Sequence, residues 1–179
     1  MNKTLLIFSI LVFSLNTYSQ DRFLNFKIVN ETNIIWQNIY DTDLSKNEIV
    51  DYFKLFGNIK IVEETNDRII GYSYGGKIDF NKYKGSKIGN TIFDNDLFYK
   101  VIIDLKDKKY RITTLDILFS KDGGMLIDGW GSTGAKHETI DNKYIKEGRF
   151  KSSFSREGAE SLNKYFLDSF LAKKLLDDF

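Results

Sequence analysis

Two adjoining segments constrain the fold of this chain more than any other feature. Residues 97–106 and 109–119 each alternate apolar and polar side chains, and only Asp107 and Lys108 lie between them. A period of two over this length, interrupted by a short polar turn, is typical of an antiparallel hairpin. The facing pairs that this turn predicts are Leu105 with Tyr110, Ile103 with Ile112, Val101 with Thr114 and, on the other side, Asp104 with Arg111.

A helix over 46–56 is predicted by a capping box. The Ser45 hydroxyl and the Glu48 carboxylate stand three residues apart, where each can accept a free backbone N–H of the first turn. Apolar residues then recur at helical spacing, and Gly57 follows where a left-handed C-terminal cap is favoured. The buried stripe predicted for this helix is Ile49, Phe53 and Phe56.

The remaining periodicity predicts an α+β domain. Residues 59–63 and 68–74 alternate as strands, and Ser155 precedes a long apolar-periodic segment that predicts a C-terminal helix over 156–178. Residues 135–153 are polar and weakly patterned. The resulting order, with strands and helices segregated, favours an antiparallel sheet of about five strands with both helices on one face.

The first nineteen residues have the organisation of a secretory signal peptide. Lys3 is followed by a short apolar core, and Thr17 and Ser19 are small residues before a predicted cleavage at Gln20. The apolar core is too short to span a membrane, which needs about 20 residues. We therefore predict a cleaved leader at 1–19, a single domain at 20–179, and an exported protein of the periplasm or the extracellular space.

Composition excludes several classes of protein. The chain has no cysteine, so the exported form is predicted to be soluble, without a disulfide framework, a lipid-anchored cysteine or a thiol nucleophile. The chain carries 26 basic and 25 acidic side chains, and loss of Lys3 with the leader makes them equal. Nucleic-acid binding normally needs a clustered basic surface. We therefore predict neither a nucleic-acid partner nor a membrane-spanning segment.

The hairpin also carries a family resemblance. Ile35-Trp36, the capped helix ending at Gly57, Ile69-Ile70-Gly71 and above all the hairpin turn Lys106-Asp107-Lys108-Lys109-Tyr110-Arg111, followed by Asp116-Ile117, make up the pattern. Over about residues 25–120 the chain resembles a family of unknown function with a TBP-like fold, found in exported Bacteroidetes proteins. The resemblance implies a curved antiparallel sheet backed by two helices, and it brings no activity, ligand or catalytic residue.

No reaction is specified by the residues. Residues 129–134 match the glycine spacing of a dinucleotide-binding loop, but no strand–helix pattern surrounds them, so no cofactor is predicted. One histidine without cysteine is poor material for a zinc site, and no nucleophile pattern accompanies it. We predict no catalytic residue and no metal ligand, and a non-catalytic protein is favoured over an enzyme.

Four residues are candidates for contact with a partner or ligand. The strand over 68–74 places Tyr72 and Tyr74 on one face, Trp130 lies in the glycine-rich segment 121–134, and His137 is the sole histidine. Exposed aromatic side chains stack on sugars or anchor protein partners, although tyrosines also close the edge of a core with wet hydroxyls.

The sequence therefore favours an exported binding domain for a protein or a cell-envelope component. Two alternatives stay open: a small-molecule or glycan-binding domain, and a carboxylate-based hydrolase. The hydrolase would need two facing carboxylates in a pocket, one of them with a raised pKa.

Overall fold

The computed structural model describes residues 21–73, 75–121 and 137–174. The predicted leader and its cleavage site lie outside these residues. Within the described part of the chain, no helix is both long enough and apolar enough to cross a membrane.

In the described part of the chain the main sheet is antiparallel and has eight strands, so the prediction of about five was wrong. The strands are β1 (Arg22–Phe23), β2 (Phe26–Val29), β3 (Asn33–Asp41), β4 (Ile59–Glu64), β5 (Arg68–Ser73), β6 (Asp96–Lys106), β7 (Lys109–Ser120) and β8 (His137–Thr139). Their order in the sheet is β1-β2-β3-β7-β6-β5-β4, with β8 also paired to β7. The two short strands β1 and β2 precede β3, and β8 follows the central hairpin of β6 and β7.

The hairpin predicted from the alternation is confirmed in strands β6 and β7. Leu105 pairs with Tyr110, Ile103 with Ile112, Val101 with Thr114 and Asp104 with Arg111. The register shifts once, between Phe98 and Lys100, and Asp116 of the opposite strand has a φ of 54°. That bulge keeps alternate side chains on their own face of the sheet over the full length of the two strands.

Helix α1 (Lys46–Phe56) is also confirmed, together with its capping box. The Ser45 N–H donates to the Glu48 carboxylate at 2.8 Å, and the Glu48 N–H donates to the Ser45 hydroxyl at 3.3 Å. Two details were wrong: Phe56 is 62% exposed, and Gly57 has a right-handed φ of −68°. The left-handed residue is Asn58, one position later, with a φ of 47°.

Up to residue 174, the predicted helix over 156–178 is replaced by two shorter helices; residues 175–178 lie outside the described part of the chain. The two helices are α3 (Ser152–Glu157) and α4 (Ala159–Ser169), and they are separated by Gly158, whose φ is 135°. A Cβ atom on Gly158 would lie 3.1 Å from the Phe93 ring, so the chain bends where only glycine fits. Ser155 lies inside α3 instead of capping it, and residues 171–174 are not helical.

Residues 137–153, which belong to the polar and weakly patterned segment of the sequence, contribute to the core. They form helix α2 (Ile140–Tyr144) and a small hairpin of β9 (Ile145–Lys146) and β10 (Arg149–Phe150), and a 3-10 turn at Ile92–Asp94 packs nearby. Ile140 and Tyr144 are fully buried. The Tyr144 ring stacks on the Phe93 ring with 5.5 Å between the ring centroids. No local sequence pattern predicts this contact, because the two residues are far apart in the chain.

Helices α1 and α4 contact the same face of the sheet, which we call the covered face. Phe53 of α1 meets Tyr110 at a ring distance of 5.9 Å, and Phe166 of α4 meets Trp36 at 5.2 Å. The Trp36 indole N–H donates to the Asn163 side-chain oxygen at 2.8 Å. Buried aromatic rings thus fix both helices against the middle of the sheet.

Candidate binding face

The opposite side of strands β1 to β7, which we call the outer face, carries charged and partly exposed side chains. Successive side chains of a strand point to opposite faces, so the register of the strands defines rows that cross this face. The arginine row is Arg68, Asp104, Arg111 and Ile39; the isoleucine row is Glu63, Ile70, Ile102, Thr113 and Gln37; the lysine row is Lys60, Tyr72, Lys100 and Leu115.

One carboxylate holds two arginines in the arginine row. Arg68 Nε and Nη2 lie 2.7 and 2.6 Å from Asp104 Oδ1, and Arg111 Nε and Nη2 lie 3.0 and 2.7 Å from Oδ2. Partial burial works to raise the pKa of the Asp104 carboxyl, but the hydrogen bonds from Arg111 and Arg68 outweigh it and lower that pKa. The group stays ionised at neutral pH and fixes both guanidinium planes.

Each arginine keeps hydrogen-bonding capacity towards solvent. A guanidinium has five N–H donors in a fixed fork, and the contacts to Asp104 use one edge of each fork. About half of each arginine side chain is exposed, whereas the Asp104 side chain is 16% exposed. The cluster is therefore a pair of oriented cations above a shielded anion.

The isoleucine row supplies the apolar part of the face. Ile70 and Ile102 are paired across β5 and β6, and both keep part of their surface exposed. Beyond them, Gln37 Nε2 donates to Thr113 Oγ1 at 2.9 Å, and the Lys27 ammonium donates to Gln37 Oε1 at 3.0 Å. The polar end of this row is therefore fixed by hydrogen bonds between side chains.

Tyr72 lies between two lysines in the lysine row. The register sets Lys60 directly opposite it on β4 and Lys100 directly opposite it on β6. Tyr72 is half-buried and Lys60 is exposed. No ion pair among the described residues engages either lysine, in contrast to the arginine row.

Cations outnumber carboxylates on the outer face, although the whole chain is nearly neutral. The assignment follows from the register of all seven strands from β1 to β7. The cations are Arg22, Lys27, Lys60, Arg68, Lys100, Lys106, Lys109 and Arg111, and the carboxylates are Asp41, Glu63, Asp96 and Asp104.

An open groove of about 780 Å³ lies at the arginine end of the face. Its walls come from the turn between β4 and β5 and from the turn between β6 and β7, with Lys46 of α1 at the rim. Lys46 is paired with Asp67 at 2.7 Å. The groove is balanced in charge, so the positive excess of the outer face comes from the lysine row and from the β1–β2 side.

The structure separates the residues that the sequence singled out. Tyr72 lies in the lysine row, whereas Tyr74 and Trp130 lie outside the described residues. His137 is on β8, opposite Ser120, with β6 and β7 between it and the strand of Tyr72. Its two ring nitrogens are buried and have no hydrogen-bond partner among the described residues. Tyr72 and His137 are therefore not parts of one compact site.

The two lysines beside Tyr72 in the lysine row could not be identified from local sequence patterns. Lys60 and Lys100 are polar members of ordinary alternating strands, and nothing local marks them. The pairing of Asp104 with Arg111 was predicted, but the second arginine, Arg68, joins it only through the β5–β6 register. The arginine row could have been found only by pairing the alternating strand over 68–74 with the first strand of the predicted hairpin, 97–106.

Two carboxylates outside the outer face, Asp141 and Asp94, accept hydrogen bonds that support the backbone. Burial raises the pKa of Asp141, whose Oδ1 accepts the Ile34 backbone N–H at 2.6 Å and so supports β3. Asp94 accepts a hydrogen bond from Lys87 and closes a capping box with Thr91. No group of three or more metal-ligating side chains occurs within residues 21–73, 75–121 and 137–174.

Comparisons with known proteins add only a likeness in structure. No protein-family model matches the chain, and no curated protein matches it. A TBP-like protein from Parabacteroides distasonis is similar with a TM-score of 0.48 and 15% identity, over 86% of this chain and 97% of that one. A DUF4468 family protein from Bacteroides ovatus is similar with a TM-score of 0.47 and 12% identity, over 83% and 95%. These two Bacteroidetes proteins agree with the resemblance carried by the hairpin.

Proposed function

We propose that this chain is an exported, non-catalytic domain that binds a protein or a cell-envelope component through its outer face. One observation carries the proposal. Partly exposed isoleucines on that face lie between a row of oriented arginines and a row of lysines, while the helix contacts described above are made on the covered face. An apolar centre with charged flanks is the usual composition of a protein interface.

The arrangement also favours binding over catalysis. Arginine and tyrosine are enriched among the residues that carry binding energy at interfaces, and Asp104 fixes the arginines before any partner arrives. A hydrolase of the predicted kind needs a carboxyl group that is protonated at neutral pH. The bonds to Arg68 and Arg111 move the pKa of Asp104 in the opposite direction.

Export is part of the proposal and has its own test. The leader pattern of residues 1–19 supports it, and its removal leaves residues 20–179 as a single domain. Intact-mass measurement on protein recovered from the native cells should give a chain that begins at Gln20 and is found outside the cytoplasm. A cytoplasmic chain that retains Met1 would contradict export.

Site-specific photo-crosslinking tests the binding face. A photoreactive amino acid is placed at Ile39, which lies beside Arg111 in the arginine row and is 60% exposed. The matched control is Ile88, which is 66% exposed and lies on the 75–95 loop, where Ser86 is tied to Glu160 of α4. Both variants are irradiated in native cells and compared on gels.

We expect a discrete crosslinked product at Ile39 and none at Ile88. The partner is then identified by mass spectrometry and shown to bind the purified domain. Equal patterns from the two positions, or no product from Ile39 in cells that express the folded domain, would refute the outer face as the binding surface.

A further inference from the structure

We infer that the partner presents an acidic, extended segment to the outer face, with an apolar side chain between two carboxylates. This inference rests on the proposed function and adds the chemistry of the partner to it. The arginine row and the lysine row would receive the two carboxylates, and Ile70 and Ile102 would receive the apolar side chain.

The spacing of the rows defines the pattern of the segment. Arg111, Thr113 and Leu115 of β7 belong to successive rows, each two residues further along the strand. Strands rise about 3.4 Å per residue, so neighbouring rows lie about 7 Å apart and the outer two about 14 Å apart. An extended peptide that runs along the strands repeats its inward side chains at the same interval, which gives the order acidic, any, apolar, any, acidic.

The charges on both outer rows favour anions. Arg68 and Arg111 share the single carboxylate of Asp104 and keep free, oriented N–H donors for a second carboxylate, although the groove around them is balanced in charge. Lys60 and Lys100 flank Tyr72 without a carboxylate opposite them in the register. A carboxylate placed over Tyr72 would lie between two cations that face no carboxylate in the register, and both would attract it.

The apolar row distinguishes an acidic protein segment from a nucleic acid. A phosphate backbone presents charge at close, regular intervals and offers no apolar group. It would therefore leave Ile70 and Ile102, which are paired between the two cationic rows, without an apolar contact. A peptide side chain such as isoleucine fits the gap, because it buries apolar area between its two carboxylates.

Three synthetic peptides test the inference by NMR titration of the ¹⁵N-labelled protein. The first has the core Glu-Thr-Ile-Thr-Glu, the second replaces both glutamates by glutamine, and the third permutes the first to Glu-Glu-Ile-Thr-Thr. All three carry the same flanking residues. We expect the first to bind about tenfold more tightly than the other two, and to lose affinity as salt is added. Amide shifts should concentrate at Ile70, Lys100, Ile102 and Thr113.

Charge reversal on the protein gives the matched control. Lys60→Glu removes a cation of the lysine row, whereas Lys146→Glu makes the same change at an exposed lysine of the separate β9–β10 hairpin. We expect Lys60→Glu to weaken binding of the first peptide about tenfold, and Lys146→Glu to weaken it less than about twofold. Unchanged amide spectra elsewhere show that both variants are folded.

Several outcomes would overturn the inference. Equal binding of the permuted peptide would refute the spacing, and equal loss in the two lysine variants would reduce the effect to general charge attraction. Tighter binding of a duplex oligonucleotide at the same residues would favour a nucleic acid. If the peptides fail while the Ile39 crosslink still captures a partner, the acidic segment is wrong and the binding face stands; if the crosslink fails, the proposed function is refuted as well.

Discussion

The two faces of the main sheet use polar side chains in opposite ways. On the covered face the polar atoms of large rings are buried and saturated: the Trp36 N–H donates to Asn163, and the Tyr110 hydroxyl donates to the Phe170 carbonyl at 2.8 Å. On the outer face the charged groups of Arg68 and Arg111 are half exposed and held by one carboxylate. The first arrangement fixes packing, and the second leaves donors available.

The difference bears on function because the two kinds of contact differ in energy. Burial of an aromatic side chain and its neighbours contributes several kcal/mol to the free energy of unfolding, whereas an exposed ion pair contributes about 1 kcal/mol or less. Stability therefore accounts for the covered face but not for the concentration of cations on the outer face. The proposed binding function would give these charges a role that the fold does not require.

The largest expected effect is the loss of Trp36 from the covered face. Trp36 is fully buried against Phe166 and Phe170, so Trp36→Ala leaves a cavity and should lower the free energy of unfolding by about 3–5 kcal/mol. The control is Ile39→Ala, three residues further along the same strand and exposed, for which we expect a change within about 0.5 kcal/mol. Urea denaturation of both variants measures the contrast, and similar losses would break the distinction between the faces.

A smaller effect is expected from the polar partner of that tryptophan. Asn163→Leu keeps the branched shape of the side chain but removes the acceptor of the Trp36 N–H, which is then buried without a partner. We expect a loss of about 1–3 kcal/mol, measured by denaturation. If the variant is as stable as the wild type, the hydrogen bond adds nothing to the aromatic packing of the covered face.

The next prediction compares Gly158, at the bend between α3 and α4, with an unpacked glycine elsewhere. Gly158→Ala forces alanine into a φ of 135° and brings its Cβ within 3.1 Å of Phe93, so we expect a loss of about 1–2 kcal/mol or more. Gly89 also has a positive φ, of 69°, but nothing lies within 4 Å of its added Cβ. Gly89→Ala therefore carries only backbone strain. A thermal shift that is larger for Gly158→Ala than for Gly89→Ala would show that the contact with the core matters.

Local signals account for the parts of the fold that could be predicted. The Ser45–Glu48 capping box fixes where α1 begins, and the alternation around Asp107 and Lys108 fixes the β6–β7 register. The end of α1 was misjudged because Asn58, one residue after the expected glycine, takes the positive φ. The C-terminal helix was predicted as continuous because Gly158 interrupts an apolar period without shifting it, and only the contact with Phe93 shows that the chain must bend.

The candidate face was only partly predictable because it depends on pairing between distant segments. Tyr72 was found from the alternation of its own strand. Its neighbour Lys100 is reached only through the β5–β6 pairing, and the described residues 75–95 between these two strands form no strand. The β4–β5 register, which shifts between Ile61 and Glu63, is likewise needed to place Lys60. Rows across a sheet are properties of the register, and the register between separated strands is settled by the core beneath them.

The smallest expected effect on stability belongs to Asp104, and its pH dependence distinguishes an ion-pair contribution from packing. Asp104→Asn weakens the link between Arg68 and Arg111 and should cost about 1 kcal/mol or less at neutral pH. The pKa of Asp104 is lower in the folded protein than in the unfolded chain, so its charge stabilises the fold above the unfolded value of about 4. That contribution is lost as the pH falls through the folded pKa.

The difference in unfolding free energy between wild type and Asp104→Asn should therefore begin to shrink as the pH falls towards about 4, and it should go on shrinking as the pH falls through the lower folded pKa. Asp96→Asn is the matched control on the same strand, because Asp96 has a single lysine, Lys77, 4.0 Å away. Urea denaturation measures the Asp104→Asn difference over this range, and at neutral pH it should show a smaller loss for Asp96→Asn, whose ion pair is longer. A difference for Asp104→Asn that is independent of pH, or as large as that for Asn163→Leu, would mean that the outer face contributes to the fold through packing. The argument that its cations are held for a partner would then fail.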